Sequence, residues 1–150
     1  MFAKDIMTKD PVCVSPETKI EEVTKLLLQN KISGLPVVDE NQNVVGVVSE
    51  KDLMVKATEL KIPFYVTLLD SIIFLENPIR FNSELKKYTA YRVKDAMTTP
   101  VISVDENAPL AEVVELIQKK NVNRLPVIRN HKLIGIITRN DVLKAISSTF

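Results

Sequence analysis

Gly46-Val47-Val48-Ser49-Glu50-Lys51-Asp52-Leu53 and Gly135-Ile136-Ile137-Thr138-Arg139-Asn140-Asp141-Val142 decide how this chain folds. Both read as a buried strand, a hydroxyl residue, an acid three residues on, and the apolar start of a helix. Ser49 with Asp52, and Thr138 with Asp141, have the spacing at which a hydroxyl and an acid satisfy each other's backbone N–H groups across the first helical turn. The same place suits an anion, because the leading N–H groups of a helix are free and its dipole is positive there. Two readings stand side by side: a pair of helix caps, and a pair of ligand-facing turns. One residue can serve both, capping when the site is empty and binding when a ligand arrives. Duplication in matching context favours the ligand-facing reading for at least one copy.

The self-similarity extends outward from these octets. Lys4-Asp5-Ile6-Met7-Thr8 returns 90 residues later as Lys94-Asp95-Ala96-Met97-Thr98, and Leu35-Pro36-Val37 returns as Leu125-Pro126-Val127 at the same interval. Gly46 and Asp52 return 89 residues later, because an intervening turn is one residue shorter in the second copy. A fixed interval of this kind marks a duplicated unit. Residues 1–56 make the first unit and residues 91–150 the second, with residues 57–90 inserted between them.

In each unit a linker leads to a short extended segment, Val12 to Val14 or Val101 to Val104, and then to a helix. Thr18 and Glu21 have capping-box spacing, and Pro109 suits a first helical position. Ile20, Val23, Leu26 and Leu27 fall at helical spacing, mirrored by Leu110, Val113, Leu116 and Ile117. Two strands follow, Leu35 to Val38 and Val44 to Val48, or Leu125 to Ile128 and Leu133 to Ile137, each pair joined by a polar turn. A last helix starts at the signature. The expected fold class is α/β (α+β), with two β-α-β-β-α units. A unit of about 55 residues buries little surface alone, so the two should pack as a pseudo-two-fold pair. The insertion contains Pro63, Pro78 and the amphipathic stretch Phe81 to Tyr91. It reads as an extension of the preceding helix, a break, and a further helix. Its apolar side chains either meet a second copy of the chain or cap this chain's own core.

Composition argues against several function classes. Lys and Arg total 20 against 19 Asp and Glu, a net charge of +1, which leaves no basic excess to hold nucleic acid. The first residues are polar, so no signal peptide is expected. The longest apolar-rich run, Ile62 to Leu75, is interrupted by Pro63 and Asp70 and is shorter than the roughly 20 residues of a membrane span. The single cysteine, Cys13, forms no internal disulfide and fits a reducing cytoplasm. Its second-copy counterpart is Ser103, so no thiol chemistry is repeated. His131 has no counterpart in the first copy and no Cys or acid cluster beside it, so no metal site is expected. With three glycines in all, Gly34, Gly46 and Gly135, a Walker-type phosphate loop is not expected, nor is a Ser/His/Asp set present. An enzyme is therefore not expected. Met7 and Met97 read as plugs between linker and sheet.

Taken together, the two β-α-β-β-α copies resemble a cystathionine-β-synthase (CBS) domain pair. Each carries Leu-Pro-Val, a turn, Gly-apolar-apolar-Ser/Thr-x-x-Asp, and a preceding Lys-Asp-x-Met-Thr linker. The resemblance covers the chain apart from the insertion and is similar to stand-alone CBS-pair proteins with a helical insertion. It implies a non-catalytic regulatory module with two clefts between the units. The ligand implied is an adenosine-containing one: AMP, ADP, ATP or S-adenosylmethionine. In such clefts the acid holds ribose hydroxyls and the hydroxyl residue faces phosphate. By that resemblance the Asp141 cleft comprises Thr138, Ile32, Ser33 and Gly34, with Thr8 and Lys9 from the linker. The Asp52 cleft comprises Ser49, Val122, Asn123 and Arg124, with Thr98 and Thr99. The resemblance also implies a homodimer that regulates a separate protein partner, with neither nucleic acid nor membrane involved.

Arg124 and Arg139 suit bidentate phosphate contacts, or are solvated surface charges. Their first-copy counterparts are Gly34 and Glu50, so the two clefts are expected to differ in charge and in nucleotide affinity. The alternative function is a ligand-free dimeric scaffold whose signature is structural.

Overall fold

The computed structural model describes residues 1–59, 65–68, 71–74 and 91–150. The first unit contains α1 (Ala3–Ile6), β1 (Thr8–Lys9), α2 (Ile20–Asn30), β2 (Gly34–Val38), β3 (Val44–Ser49) and α3 (Glu50–Glu59). A hairpin of β4 (Tyr65–Leu68) and β5 (Ser71–Phe74) follows. The second unit opens with a 3-10 turn (Val93–Asp95) and continues as β6 (Val104–Asp105), α4 (Leu110–Lys119), β7 (Arg124–Arg129), β8 (Lys132–Thr138) and α5 (Arg139–Ser147).

The two units repeat one pairing scheme. β2 and β3 run antiparallel with Gly34 opposite Ser49, and β7 and β8 do so with Arg124 opposite Thr138. Val14 bridges Val37 in parallel, as Val104 pairs with Val127. α2 buries Ile20, Val23 and Leu27, and α4 buries Val113 and Ile117, the positions that helical spacing selects. Residues in the left-handed region stop both helices, Lys31 (φ 52) after α2 and Asn121 (φ 50) after α4. A left-handed residue there lets the following N–H reach back to an orphan carbonyl, as Ile32 N does to Leu27 O at 3.0 Å.

The linkers cross between units. β1 pairs with β8 of the second unit, Thr8 opposite Ile136, and Thr98 bridges Val47 on β3 of the first. Ala3 is fully buried in the second unit's core with Val104, Val113, Leu125, Val127 and Ile137. Val93 is fully buried in the first unit's core with Ile20, Val23, Leu35, Val37 and Val48. The methionines expected as plugs sit on the glycines of the signature. A Cβ at Gly46 would fall 2.9 Å from Met97 Sδ, and one at Gly135 would collide with Met7 Sδ. Glycine is required there for close approach, not for backbone conformation.

Three local expectations are corrected. Thr18 does not cap α2: Lys19 holds the N-cap position, and Thr18 Oγ1 instead accepts from Ser15 N at 3.1 Å. Pro109 is the N-cap of α4 in extended conformation, one residue before the helix begins. In the insertion α3 continues to Glu59 as expected, but a hairpin stands at 65–68 and 71–74, with Tyr65 opposite Phe74 and Leu68 opposite Ser71. These strands are rich in aromatic and β-branched residues, which favour extended backbone. The further helix expected from Phe81 lies outside the described residues, except for Tyr91.

Candidate functional site

Each signature turn forms the reciprocal cap that its spacing dictates. At α5, Thr138 N and Thr138 Oγ1 donate to Asp141 Oδ2 at 2.8 and 2.7 Å, and Asp141 N donates to Thr138 Oγ1 at 3.3 Å. At α3, Ser49 N and Ser49 Oγ donate to Asp52 Oδ2 at 2.9 and 3.0 Å, and Asp52 N donates back to Ser49 Oγ at 3.3 Å. The copies then diverge. Asp52 Oδ1 also accepts from Thr98 Oγ1 at 3.2 Å, whereas Asp141 Oδ1 has no hydrogen-bond partner among the described residues.

A cavity of about 450 Å³ opens between the units beside the Thr138 turn. It brings together Thr8, Ile32, Ser33, Gly34 and Thr138, five residues that sequence reasoning assigned to one cleft. Crossing of the linker brings Thr8 here, and the left-handed stop after α2 turns Ile32 and Ser33 inward toward β2. Lys9 pairs with Gly135 at the cavity's edge. Asp141 does not line this cavity: it is bound to Thr138 as described, and it lines a separate surface pocket with Met1, Asp5 and Lys144.

Asp10, Pro11, Val12, Asn30, Lys31, Pro36 and Ile136 complete the wall and were missed. All but Val12 lie within two residues of an assigned one in sequence. Ile136 lies two residues before Thr138, on the same face of β8, a signal that strand periodicity carries.

Asn123 and Arg124, expected in the Asp52 cleft, also line this cavity. Arg124 does more than line it. Its Nη2 donates to Ser33 Oγ at 2.5 Å, and a Cβ at Gly34 would meet its Cζ at 2.5 Å. Burial pushes its pKa down, and the Glu50 and Asp52 carboxylates pull it back up. Val122 packs against the second unit's core. Arg139 is not brought to the cavity at all. It donates from Nε to Val122 O at 3.4 Å and from Nη2 to Asn121 Oδ1 at 3.1 Å, tying the start of α5 to the end of α4. Thr99 lies exposed beside Thr98. Among the described residues no group of His, Cys, Asp or Glu is arranged to hold a metal ion, and no helix is long and apolar enough to cross a membrane.

Two β-α-β-β-α units with crossed linkers, with a cavity between them beside Thr138, define a paired domain module. The chain belongs to the CBS-domain family, whose profile matches residues 3–58 and 93–148. It is 32% identical over 97% of its length to an uncharacterized protein of Methanocaldococcus jannaschii, spanning 91% of that protein. It is also 32% identical to the chloroplastic CBS domain-containing protein CBSX1 of Arabidopsis thaliana, over 94% of this chain and 62% of that one. Among solved structures, CBSX2 in complex with AMP superposes with a TM-score of 0.75 at 30% identity, covering 99% of this chain and 97% of that one.

Proposed function

We propose that this chain is a non-catalytic regulatory module whose cavity beside Thr138 takes an adenosine-containing ligand: AMP, ADP, ATP or S-adenosylmethionine. The observation that carries this reading is the convergence of Thr8, Ile32, Ser33, Gly34 and Thr138 on one cavity. Support comes from the 30% identical CBSX2, whose structure is a complex with AMP. In this reading the CBS motifs are residues 1–56 and 91–150, flanking the insertion 57–90. Asp141 takes the ribose hydroxyls, because a carboxylate is acceptor-only and can receive two hydrogen bonds. Its unpartnered Oδ1 is available for one of them. Thr138 and the leading N–H groups of α5 face phosphate.

Binding would bridge β2 and the β1 linker of one unit to β8 of the other. It would thereby shift the balance between two relative orientations, which requires the ligand to prefer one of them. The output passes to a separate protein in the cytoplasm, and the module works as a homodimer. Met54, Val55 and Leu143, at 61%, 50% and 64% exposure on α3 and α5, give the dimer an apolar face.

The test is calorimetric titration of the four ligands into the chain and into Asp141→Ala. Loss of hydrogen bonds to a buried polar partner should weaken binding by about 1–3 kcal/mol. Wild-type affinity in the variant would refute the assignment of Asp141. Absence of heat and of thermal shift with all four ligands would favour a ligand-free scaffold.

A further inference from the structure

Three residues lining the cavity beside Thr138 carry charge: Asp10, Lys31 and Arg124. Asp10 and Lys31 are exposed, have opposite signs, and are both screened by solvent. Arg124 is half-buried, where a charge is felt more strongly. Its seat is built by the other unit. Gly34 leaves room for it, since a Cβ there would fall 2.5 Å from the guanidinium Cζ, and Ser33 Oγ accepts from its Nη2 at 2.5 Å. Both residues line the same cavity. A hydroxyl acceptor fixes the guanidinium without neutralising it. Among the described residues no carboxylate forms an ion pair with Arg124. Glu50 and Asp52 act on it only through their field, pulling up a pKa that burial pushes down, and neither lines the cavity. A guanidinium has five donors, and Ser33 Oγ is the acceptor that holds one of them. The wall therefore presents an anchored, always protonated cation, opposite Thr138 in the β7–β8 hairpin.

We propose that this seat makes the cavity select its ligand by charge: it takes a phosphate-bearing adenine nucleotide and disfavours S-adenosylmethionine. Arg124 is the discriminating residue and Ser33 the residue that positions it. This rests on the adenosyl-ligand reading and narrows it. A phosphate offers several acceptor oxygens to the planar fork of a guanidinium, in charge-assisted hydrogen bonds. S-adenosylmethionine carries a sulfonium and an ammonium against one carboxylate, so it brings net positive charge to a positive wall. Neutral adenosine should fall between the two.

Calorimetry with two pairs of probes tests this. AMP and adenosine differ by the phosphate, and S-adenosylmethionine and S-adenosylhomocysteine differ by one methyl group and its sulfonium charge. Wild type should bind AMP tighter than adenosine by about tenfold or more. It should bind S-adenosylhomocysteine tighter than S-adenosylmethionine by about threefold. In Arg124→Gln both ratios should fall toward one. Adenosine affinity itself is free to change there, because Arg124 lines the cavity, and a ratio taken within one protein cancels that change. Ser33→Ala should lower the AMP-to-adenosine ratio, and Ser33→Thr, which keeps the hydroxyl, should restore it. Wild type and the Ser33 variants decide the question even where Arg124→Gln does not fold. Wild-type ratios near one, or ratios that survive Arg124→Gln, overturn the proposal and leave the adenosyl reading standing. An unchanged ratio in Ser33→Ala overturns the positioning role of Ser33. Binding of none of the four probes to wild type refutes the adenosyl reading and the charge selection with it.

Discussion

Thr138 carries two duties that substitution can separate. As the N-cap of α5 it accepts from Asp141 N, and as a cavity residue it presents a hydroxyl to the ligand space. Thr138→Ala should cost about 1 kcal/mol of stability through the cap alone, read as a lower urea midpoint without ligand. Thr138→Ser should restore the midpoint. An unchanged midpoint in the alanine variant would show that the hydroxyl does not cap in solution. A second residue-scale prediction concerns acid. Glu106 receives a two-point contact from Arg129, at 2.5 Å from Nε and 2.6 Å from Nη2, and the Arg129 hydrogen bonds hold its carboxyl below the usual range. Asp39 is likewise lowered, first by the Asn43 backbone N–H. A depressed folded-state pKa means that the unfolded chain binds more protons. Both acids therefore contribute stability above the ordinary carboxylate pKa, and that contribution is lost as pH falls through their folded-state values. Glu106→Gln should flatten the fall in urea midpoint below about pH 4 and leave its slope near neutrality unchanged.

At the scale of elements, the repeated units were legible because their burial follows simple periods. Ile20, Val23 and Leu27 point inward at helical spacing, and the Leu-Pro-Val segment of each unit is buried. Two features were not legible. The competition between Thr18 as a cap of α2 and Thr18 as an acceptor for Ser15 is decided by a turn that no periodicity reports. The crossing of Arg124 over Gly34 depends on how the units meet, so sequence could identify Arg124 as a basic residue near a cleft but not its contacts with Ser33 and Gly34. Five residues of the cavity were readable through the resemblance, whereas the contacts of Arg139 with Val122 and Asn121 were not, because a helix-start position does not fix a long side chain's direction. The last helices allow a direct test of association. Leu143 is 64% exposed on α5, beside a small apolar groove that includes Val142 and Ile146. If the apolar face of α3 and α5 holds a dimer, Leu143→Glu should shift the sedimentation mass to that of a monomer, because a charge in the apolar centre of an interface is left unpaired. A monomeric wild-type chain would remove the dimer from the proposed mechanism.

The whole molecule is tied together by exchange of linkers, and this bears on both its stability and its response to ligand. Ala3 completes the second unit's core and Val93 the first's. Between the hairpins, Leu133 N donates to Gln42 O at 3.0 Å and Lys132 Nζ to Asn41 O at 2.6 Å. Neither core is closed by its own contiguous sequence, so unfolding one unit strips a segment from the other. The chain should therefore unfold as a single cooperative transition. Ala3→Asp places an unpaired charge in the second unit's core at a cost of several kcal/mol. Hydrogen exchange should then show β2 amides losing protection together with β7 amides, although the substitution lies among second-unit residues. Protection retained in β2 alone would mean that the units are thermodynamically independent. The same coupling sets how ligand is felt. A ligand held between Gly34 on β2 and Thr138 on β8 touches both units, so at 100 times its dissociation constant its stabilisation of about 2.7 kcal/mol should raise protection in both units alike. A ligand stabilising β7 and β8 while leaving β2 and β3 unchanged would bind one unit only, and no reorientation of the pair could follow from it.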